Sequence, residues 1–270
     1  FVFPNLLDLL KKLSKNKITL FTNGTFINEN NYKAISEYCD EVQISFEGIS
    51  ETCYEQIRGK GNYQKVRRTI ELLKGEGVRI ILAVTLLPMM LDDVRENLPK
   101  LVEELDYKNL EVRINNEIEM TGNATTMDFT GYDKHVSDKV ILELLQTITD
   151  SGAVAEFPAQ KNVRFTNCGI GANIVINYDG RIYPCHKFNT PFYFEADTDI
   201  DKLYKEFNDI NRRTSSEFIK KCSSCELKYV CAGGCRIDNF NINGDMMVPV
   251  CNEEFKENQY RKLVYEYLRG

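Results

Sequence analysis

Residues 18–46 read ITLFTNGTFINENNYKAISEYCDEVQISF, and this stretch decides the fold class. Ile18 to Phe21 is an apolar run that stops at Thr22-Asn23-Gly24, which reads as a buried strand ending in a turn. Asn30 to Cys39 then reads as a helix, and Val42 to Phe46 as the next strand. On the N-terminal side, Leu6, Leu7, Leu9, Leu10 and Leu13 recur at helical spacing. On the C-terminal side, Tyr63 to Lys74 is helical, with apolar Val66, Ile70, Leu72 and Leu73, and ends at Gly75 and Gly77. Val78 to Leu86 follows as a strand, Leu91 to Leu105 as a helix and Leu110 to Ile114 as a fourth strand. Alternating helices and strands with short links predict an α/β fold with a parallel sheet and crossover helices. The strands read as apolar throughout, which predicts cover on both faces.

After Asn115 the pattern changes. Residues 116–132 are polar and turn-rich, as in loops at strand ends that carry function. A helix is expected from Ser137 to Thr149, and beyond Gly152 the rhythm is lost. The runs 174–178 and 181–183 flank Asp179-Gly180, a strong hairpin signal. Residues 200–221 and 253–268 read as helical. The predicted boundary therefore divides the chain into residues 1–160 and a smaller domain, 161–270.

The 270 residues are 43% hydrophobic and 27% charged, a globular balance that excludes low-complexity disorder. A net charge of -6 speaks against nucleic acid as a partner, because phosphate binding needs an excess of Lys and Arg on one face. No apolar run reaches about 18 residues, so no membrane span is expected. No secretory signal is evident, and a cytoplasmic location is expected.

Nine cysteines stand out. An odd number cannot all pair within one chain, and cytoplasmic thiols stay reduced. Cys39 and Cys53 are isolated and read as small buried hydrophobes. The other seven run Cys168 and Cys185, then Cys222-x2-Cys225-x5-Cys231-x3-Cys235, then Cys251. A C-x2-C pair puts two thiolates on one tight turn, and the cysteines after it supply further ligands to the same segment. Clusters of this kind bind metal or iron–sulfur centres. Seven ligands suit two centres, one of four and one of three. A group of three is awkward for structural zinc, which closes with four ligands, whereas an iron–sulfur cluster tolerates a foreign ligand or an open iron.

The seven-cysteine arrangement resembles the SPASM domain, the auxiliary-cluster domain of many radical SAM enzymes. The N-terminal part resembles the rest of such an enzyme. Leu20 to Thr25 is similar to its strand ending in Thr-Asn-Gly, Val42 to Gly48 to its Ile-Ser-Leu-Asp-Gly strand, and Ile57 to Tyr63 to its Arg-Gly-x-Gly-x-Phe segment. The resemblance implies a partial (β/α) barrel lacking its first strands, followed by a small cysteine-rich domain with a β-hairpin and helices. It implies two auxiliary 4Fe–4S clusters. Cys222, Cys225, Cys231 and Cys251 would hold the outer one, and Cys168, Cys185 and Cys235 the inner one. Direct ligation by His186 is not expected. The family's C-x3-C-x2-C loop, which holds the cluster that reduces S-adenosylmethionine, is not in this sequence. Cys39 and Cys53, separated by 13 residues, cannot replace it. The first two strands and that loop are therefore expected to be missing, and the chain alone should not cleave S-adenosylmethionine. The full-length protein would bind S-adenosylmethionine and a third 4Fe–4S cluster.

By the same resemblance, Ser45 would bond the methionine end of the cofactor. Thr22 and Asn23 would contact it or form the turn before Gly24. Glu47 keeps the carboxylate of the usual Asp, and Arg58 would pair with the cofactor carboxylate or brace a loop. Arg113, Asn115 and Asn116 are further candidates at the fourth strand's end. The implied function is a radical SAM peptide or protein maturase. It would begin with hydrogen abstraction by a 5′-deoxyadenosyl radical and take electrons from a flavodoxin or ferredoxin. Its substrate would be a precursor peptide or protein, and its product a thioether, a carbon–carbon crosslink or an oxidised side chain. One alternative is a formylglycine-forming enzyme of the anaerobic sulfatase-maturating type, which usually has Asp where His186 stands. Another is a non-catalytic iron–sulfur or zinc module.

Overall fold

A computed structural model describes residues 5–115, 164–187 and 192–253, and individual residues within 140–148 and 255–264. The chain divides into two compact units, Phe1–Pro158 and Ala159–Gly270. The first alternates α1 (Leu6–Leu13), β1 (Thr19–Thr22), α2 (Tyr32–Tyr38), β2 (Glu41–Ser45), α3 (Glu51–Arg58), α4 (Asn62–Gly75), β3 (Arg79–Thr85), α5 (Leu91–Leu105) and β4 (Leu110–Asn115). All four strands are parallel, in the order β1-β2-β3-β4. An unreversed order is that of a (β/α) barrel wall, whereas a doubly wound sheet reverses at a switch point.

Helix α3 was not expected. Its apolar stripe is short, but Ser50 caps it by accepting a hydrogen bond from the Cys53 N–H at 3.3 Å. Tyr54 then anchors it, buried against Phe46 and Tyr63 with ring centroids 5.3 and 5.7 Å away.

The expectation of strands apolar throughout needs correction. Val42, Ile44, Ile80, Leu82, Leu110 and Val112 belong to the core beneath the helices. The alternate positions are in register with one another and form a second face: Glu41 with Arg79, Gln43 with Ile81 and Glu111, and Ser45 with Ala83 and Arg113. That face is polar and charged. Ile81 and Ala83 break the polar alternation in the longest strand, so the sequence reads as apolar although the faces differ.

In the second unit, β5 (Val175–Ile176) and β6 (Ile182–Tyr183) form the expected antiparallel hairpin, and a bridge between Ile182 and Phe194 widens it. Asp199 caps α6 (Ile200–Arg213), accepting from the N–H groups of Asp201 and Lys202 at 3.1 Å. This helix stops eight residues short of the predicted 221, where the Thr214 hydroxyl turns back to the Ile210 carbonyl at 2.8 Å. Helices α7 (Lys228–Cys231) and α8 (Arg236–Asn243) follow. Residues 116–132, among them Asn116, lie outside the described residues, as do parts of the helices expected at 137–149 and 253–268. Among the described residues, no helix is long and apolar enough to cross a membrane.

Candidate active site and cysteine centres

In parallel α/β folds, reactive groups gather where strands end at their C-terminal side. At the end of β1, Thr22 Oγ1 accepts from the Gly24 N–H at 3.0 Å. Asn23 Oδ1 accepts from the Thr25 N–H at 3.1 Å and from its hydroxyl at 2.9 Å. Both side chains thus form the turn. Thr22 is in register with Ile44 and so shares the helix-covered face, not the polar one. Ser45, the last residue of β2, lies half-buried on the polar face.

Beyond Ser45, Glu47 is buried and receives Arg58, whose Nε donates to its Oε2 at 2.7 Å while a second guanidinium nitrogen bonds the same oxygen. Arg58 is therefore engaged inside the chain, and its pairing with a cofactor carboxylate would have to share it with Glu47. The loop after Glu47 is held by a residue that sequence reasoning missed. Asp93, in the first turn of α5, accepts from the Ile49 N–H at 2.5 Å, the Ser50 N–H at 3.1 Å and the Asn97 amide at 3.0 Å. Burial works to raise its pKa, but the bonds from Ser50, Ile49 and Asn97 prevail and hold the carboxyl below its usual range. An acid in a helix's first turn is an ordinary signal, and nothing local reveals partners some 43 residues away.

That depressed pKa carries a pH dependence. A carboxyl with a lowered native pKa contributes stability that is complete above its unfolded value of about 3.9 and is lost as pH falls through the native value. Asp93→Asn should therefore destabilise the first unit by about 1–3 kcal/mol at neutral pH. Urea titrations at several pH values should show the deficit shrinking below about pH 4. A deficit that does not change with pH would mean that Asp93 acts through shape alone.

The polar face carries a chain of charges. Arg79 donates to Glu41 at 3.2 Å and to Glu111 at 2.5 Å. Arg113 donates to Glu111 and, at 3.2 Å, to Gln43. Lys17 reaches Glu41 at 2.9 Å. Glu111, with a side chain only 2% exposed, is thus shared by two arginines, which is what makes a buried carboxylate tolerable. Arg113 consequently stands as an oriented cation beside the row of Ser45 and Ala83. Asn115 ends β4 in register with Thr85.

In the second unit, Cys222 and Cys225 share a turn in which the Cys225 N–H donates to the Cys222 carbonyl at 3.0 Å. Together with Cys231 and Cys251 they line one cavity of about 280 Å³. Burial pushes the Cys222 thiol up, and Cys231, Cys225 and Cys251 act on it in the same direction. Cys185 and Cys235 are likewise raised first by burial, and both have Lys187 and Asp238 as neighbours, with Cys168 beside Cys185. The folded chain thus brings Cys222, Cys225, Cys231 and Cys251 to one cavity, places Cys168 near Cys185, and packs Cys185 and Cys235 against one small core. His186 is exposed.

All nine cysteines are free. Cys39 is pushed up to about 11 by burial and by Asp40, and Cys53 to about 12 by burial and by Asp93. Both are protonated at neutral pH and unsuited to ligation. Among the described residues, no three His, Cys, Asp or Glu side chains converge tightly enough to hold a single metal ion. The cavity instead offers four cysteine sulfurs, with Ser224 and Glu226 also in its lining, around room for a larger group. Such donors suit iron–sulfur clusters.

Residues 2–105 match the family model described as Radical SAM superfamily. Over 269 residues, 92% of this chain, the sequence is 24% identical to a protein of Archaeoglobus fulgidus, of which it covers 62%. Over 261 residues, 86% of this chain, it is 23% identical to PqqA peptide cyclase of Rhizobium meliloti, of which it covers 65%. The chain therefore spans somewhat less than two thirds of these relatives. Among solved structures, native anSMEcpe with bound AdoMet superposes with a TM-score of 0.66 at 20% identity, over 98% of this chain and 78% of that one. Streptococcus suis SuiB does so with a TM-score of 0.63 at 17% identity, over 87% and 60%. The chain is thus similar to radical SAM proteins in sequence over residues 2–105, and its α/β fold is of the radical SAM type.

Proposed function

We propose that this chain belongs to a radical SAM enzyme that modifies a peptide or protein, with a SPASM-type domain holding two auxiliary 4Fe–4S clusters. The observation that carries this reading is the cavity lined by Cys222, Cys225, Cys231 and Cys251, drawn from separate stretches of sequence. In this reading Cys168, Cys185 and Cys235 hold the inner cluster. A peptide substrate is supported by relatives of that kind: PqqA peptide cyclase, anSMEcpe with bound AdoMet and Kp18Cys peptide, and SuiB bound to precursor peptide SuiA.

When bound, S-adenosylmethionine and the iron–sulfur clusters would supply one-electron chemistry. The chain's own residues bind and orient. Ser45 presents a hydroxyl at the strand end, and Arg113 presents a cation held in place by Glu111 and Gln43. The Glu47–Arg58 pair and Asp93 hold the loop between β2 and α3. A flavodoxin- or ferredoxin-type donor and a cytoplasmic setting complete the proposal.

Iron and acid-labile sulfide analysis after anaerobic reconstitution tests it. The chain should take up about eight irons, and Cys225→Ala about four, since each cluster carries four. Stoichiometric zinc without sulfide would leave the zinc-stabilised module as the better reading. Unchanged iron in Cys225→Ala would refute the ligand assignment.

A further inference from the structure

We propose that Arg236 is a cation shared by the two cysteine centres, a positioning residue whose charge raises the electron affinity of both. The inference rests on the iron–sulfur reading above and deepens it.

Arg236 directly follows Cys235 and opens α8. It is 0% exposed and heads the largest fully buried side chains. Its guanidinium is held by three backbone carbonyls: Nε donates to Thr214 at 2.7 Å, one terminal nitrogen to Gly234 at 2.7 Å and the other to Ala232 at 2.6 Å. A Cβ at Gly233 would come within 3.1 and 3.2 Å of those terminal nitrogens, so the bare glycine leaves room for the guanidinium. These bonds fix its place but leave its charge uncompensated, because all three acceptors are neutral. Among the described residues, no carboxylate pairs with it. A buried cation without an anion is costly.

The bonds to Ala232 and Gly234 place the guanidinium on the turn between Cys231 of the outer set and Cys235 of the inner one. Cys168 and Cys235 of that inner set, and Cys222 and Cys231 of the outer, lie within its electrostatic reach. Arginine stays charged in proteins, so one fixed positive charge sits among ligands of both centres.

Reduction adds a negative charge to a centre. A fixed cation nearby stabilises the reduced form more than the oxidised one. Because one cation serves two sets, removing its charge should lower both potentials together. A cation held by a single set would move only one.

The test compares Arg236→Gln and Arg236→Lys in the reconstituted chain, with iron and sulfide content measured first and both potentials then followed by EPR-monitored titration. Absence of iron and sulfide in the unmodified chain would sink the iron–sulfur reading itself, and that failure is distinct from any result of the potential measurements. With full loading, Arg236→Gln should disfavour reduction of both centres about tenfold, or about 59 mV for a one-electron couple. Arg236→Lys should restore both potentials. Unchanged potentials in the Gln variant, or a Lys variant that behaves like Gln, would overturn the proposal. If the Gln variant does not load, Arg236→Lys decides alone. A loaded Lys variant with both potentials preserved supports the shared charge. A Lys variant that is unloaded or shifted overturns it, because the three carbonyl bonds, not the charge, would then be what the site needs.

Discussion

Gly48→Ala is expected to cost the first unit at least about 4 kcal/mol, the range in which a substitution forces the backbone to move. Gly48 has a φ of +83°, and a Cβ there would lie 2.4 Å from the Tyr54 nitrogen and 2.6 Å from the Cys53 carbonyl carbon. Neither side can yield easily. On the helix side, Tyr54 is 1% exposed and wedged between two aromatic rings. On the loop side, the next two N–H groups are held by Asp93. Gly77→Ala is the control. Its φ is +79°, but nothing lies within 4 Å of a Cβ there, so it should lose only the conformational term of about 1–2 kcal/mol. Chemical denaturation followed by circular dichroism reads the difference. Equal losses in the two variants would show that the close approach of Gly48 to α3 is not a constraint.

The second large effect is expected from Gly171→Ala, read as iron. A Cβ at Gly171, whose φ is +78°, would sit 2.2 Å from the Phe207 carbonyl oxygen of α6. The segment is clamped on both sides. The Gly171 N–H donates to the Pro184 carbonyl at 2.8 Å, and Asn211 donates to the Ile170 carbonyl at 2.7 Å. Cys168 lies three residues before Gly171, and Cys185 directly follows Pro184. Forcing the segment off α6 should therefore separate two ligands of the inner set. Reconstituted iron should fall from about eight per chain to about four, with the outer set retained. Gly244→Ala, where a Cβ would meet nothing within 4 Å, should keep its full iron. Full loading of Gly171→Ala would count against Cys168 and Cys185 serving one centre.

Much of the fold could be read from short-range signals. Helix α5 runs over the predicted Leu91–Leu105, and the hairpin forms around Asp179-Gly180. Both depend on features that neighbours in sequence supply, namely an apolar stripe at helical spacing and a turn dipeptide between β-rich runs. Helix α3 escaped notice because its stripe is short and its cap depends on a single serine. The polar face of the sheet escaped because Ile81 and Ala83 interrupt the alternation that Glu41-Val42-Gln43-Ile44-Ser45 and Glu111-Val112-Arg113 carry openly.

By itself, the sequence determined the order of the four strands and of the helices around them other than α3, and the identity of the seven cysteines as a set apart from Cys39 and Cys53. Those properties follow from local periodicity and spacing. Only the tertiary structure decided that Arg58 bonds Glu47, that Asp93 holds the loop after β2, that Arg113 reaches Gln43 across 70 residues, and that Arg236 lies among thiols of both sets. Each of these is a charge finding a partner across the fold. A buried charge must be met by whatever the folded chain brings near it, and chain order does not say what that will be.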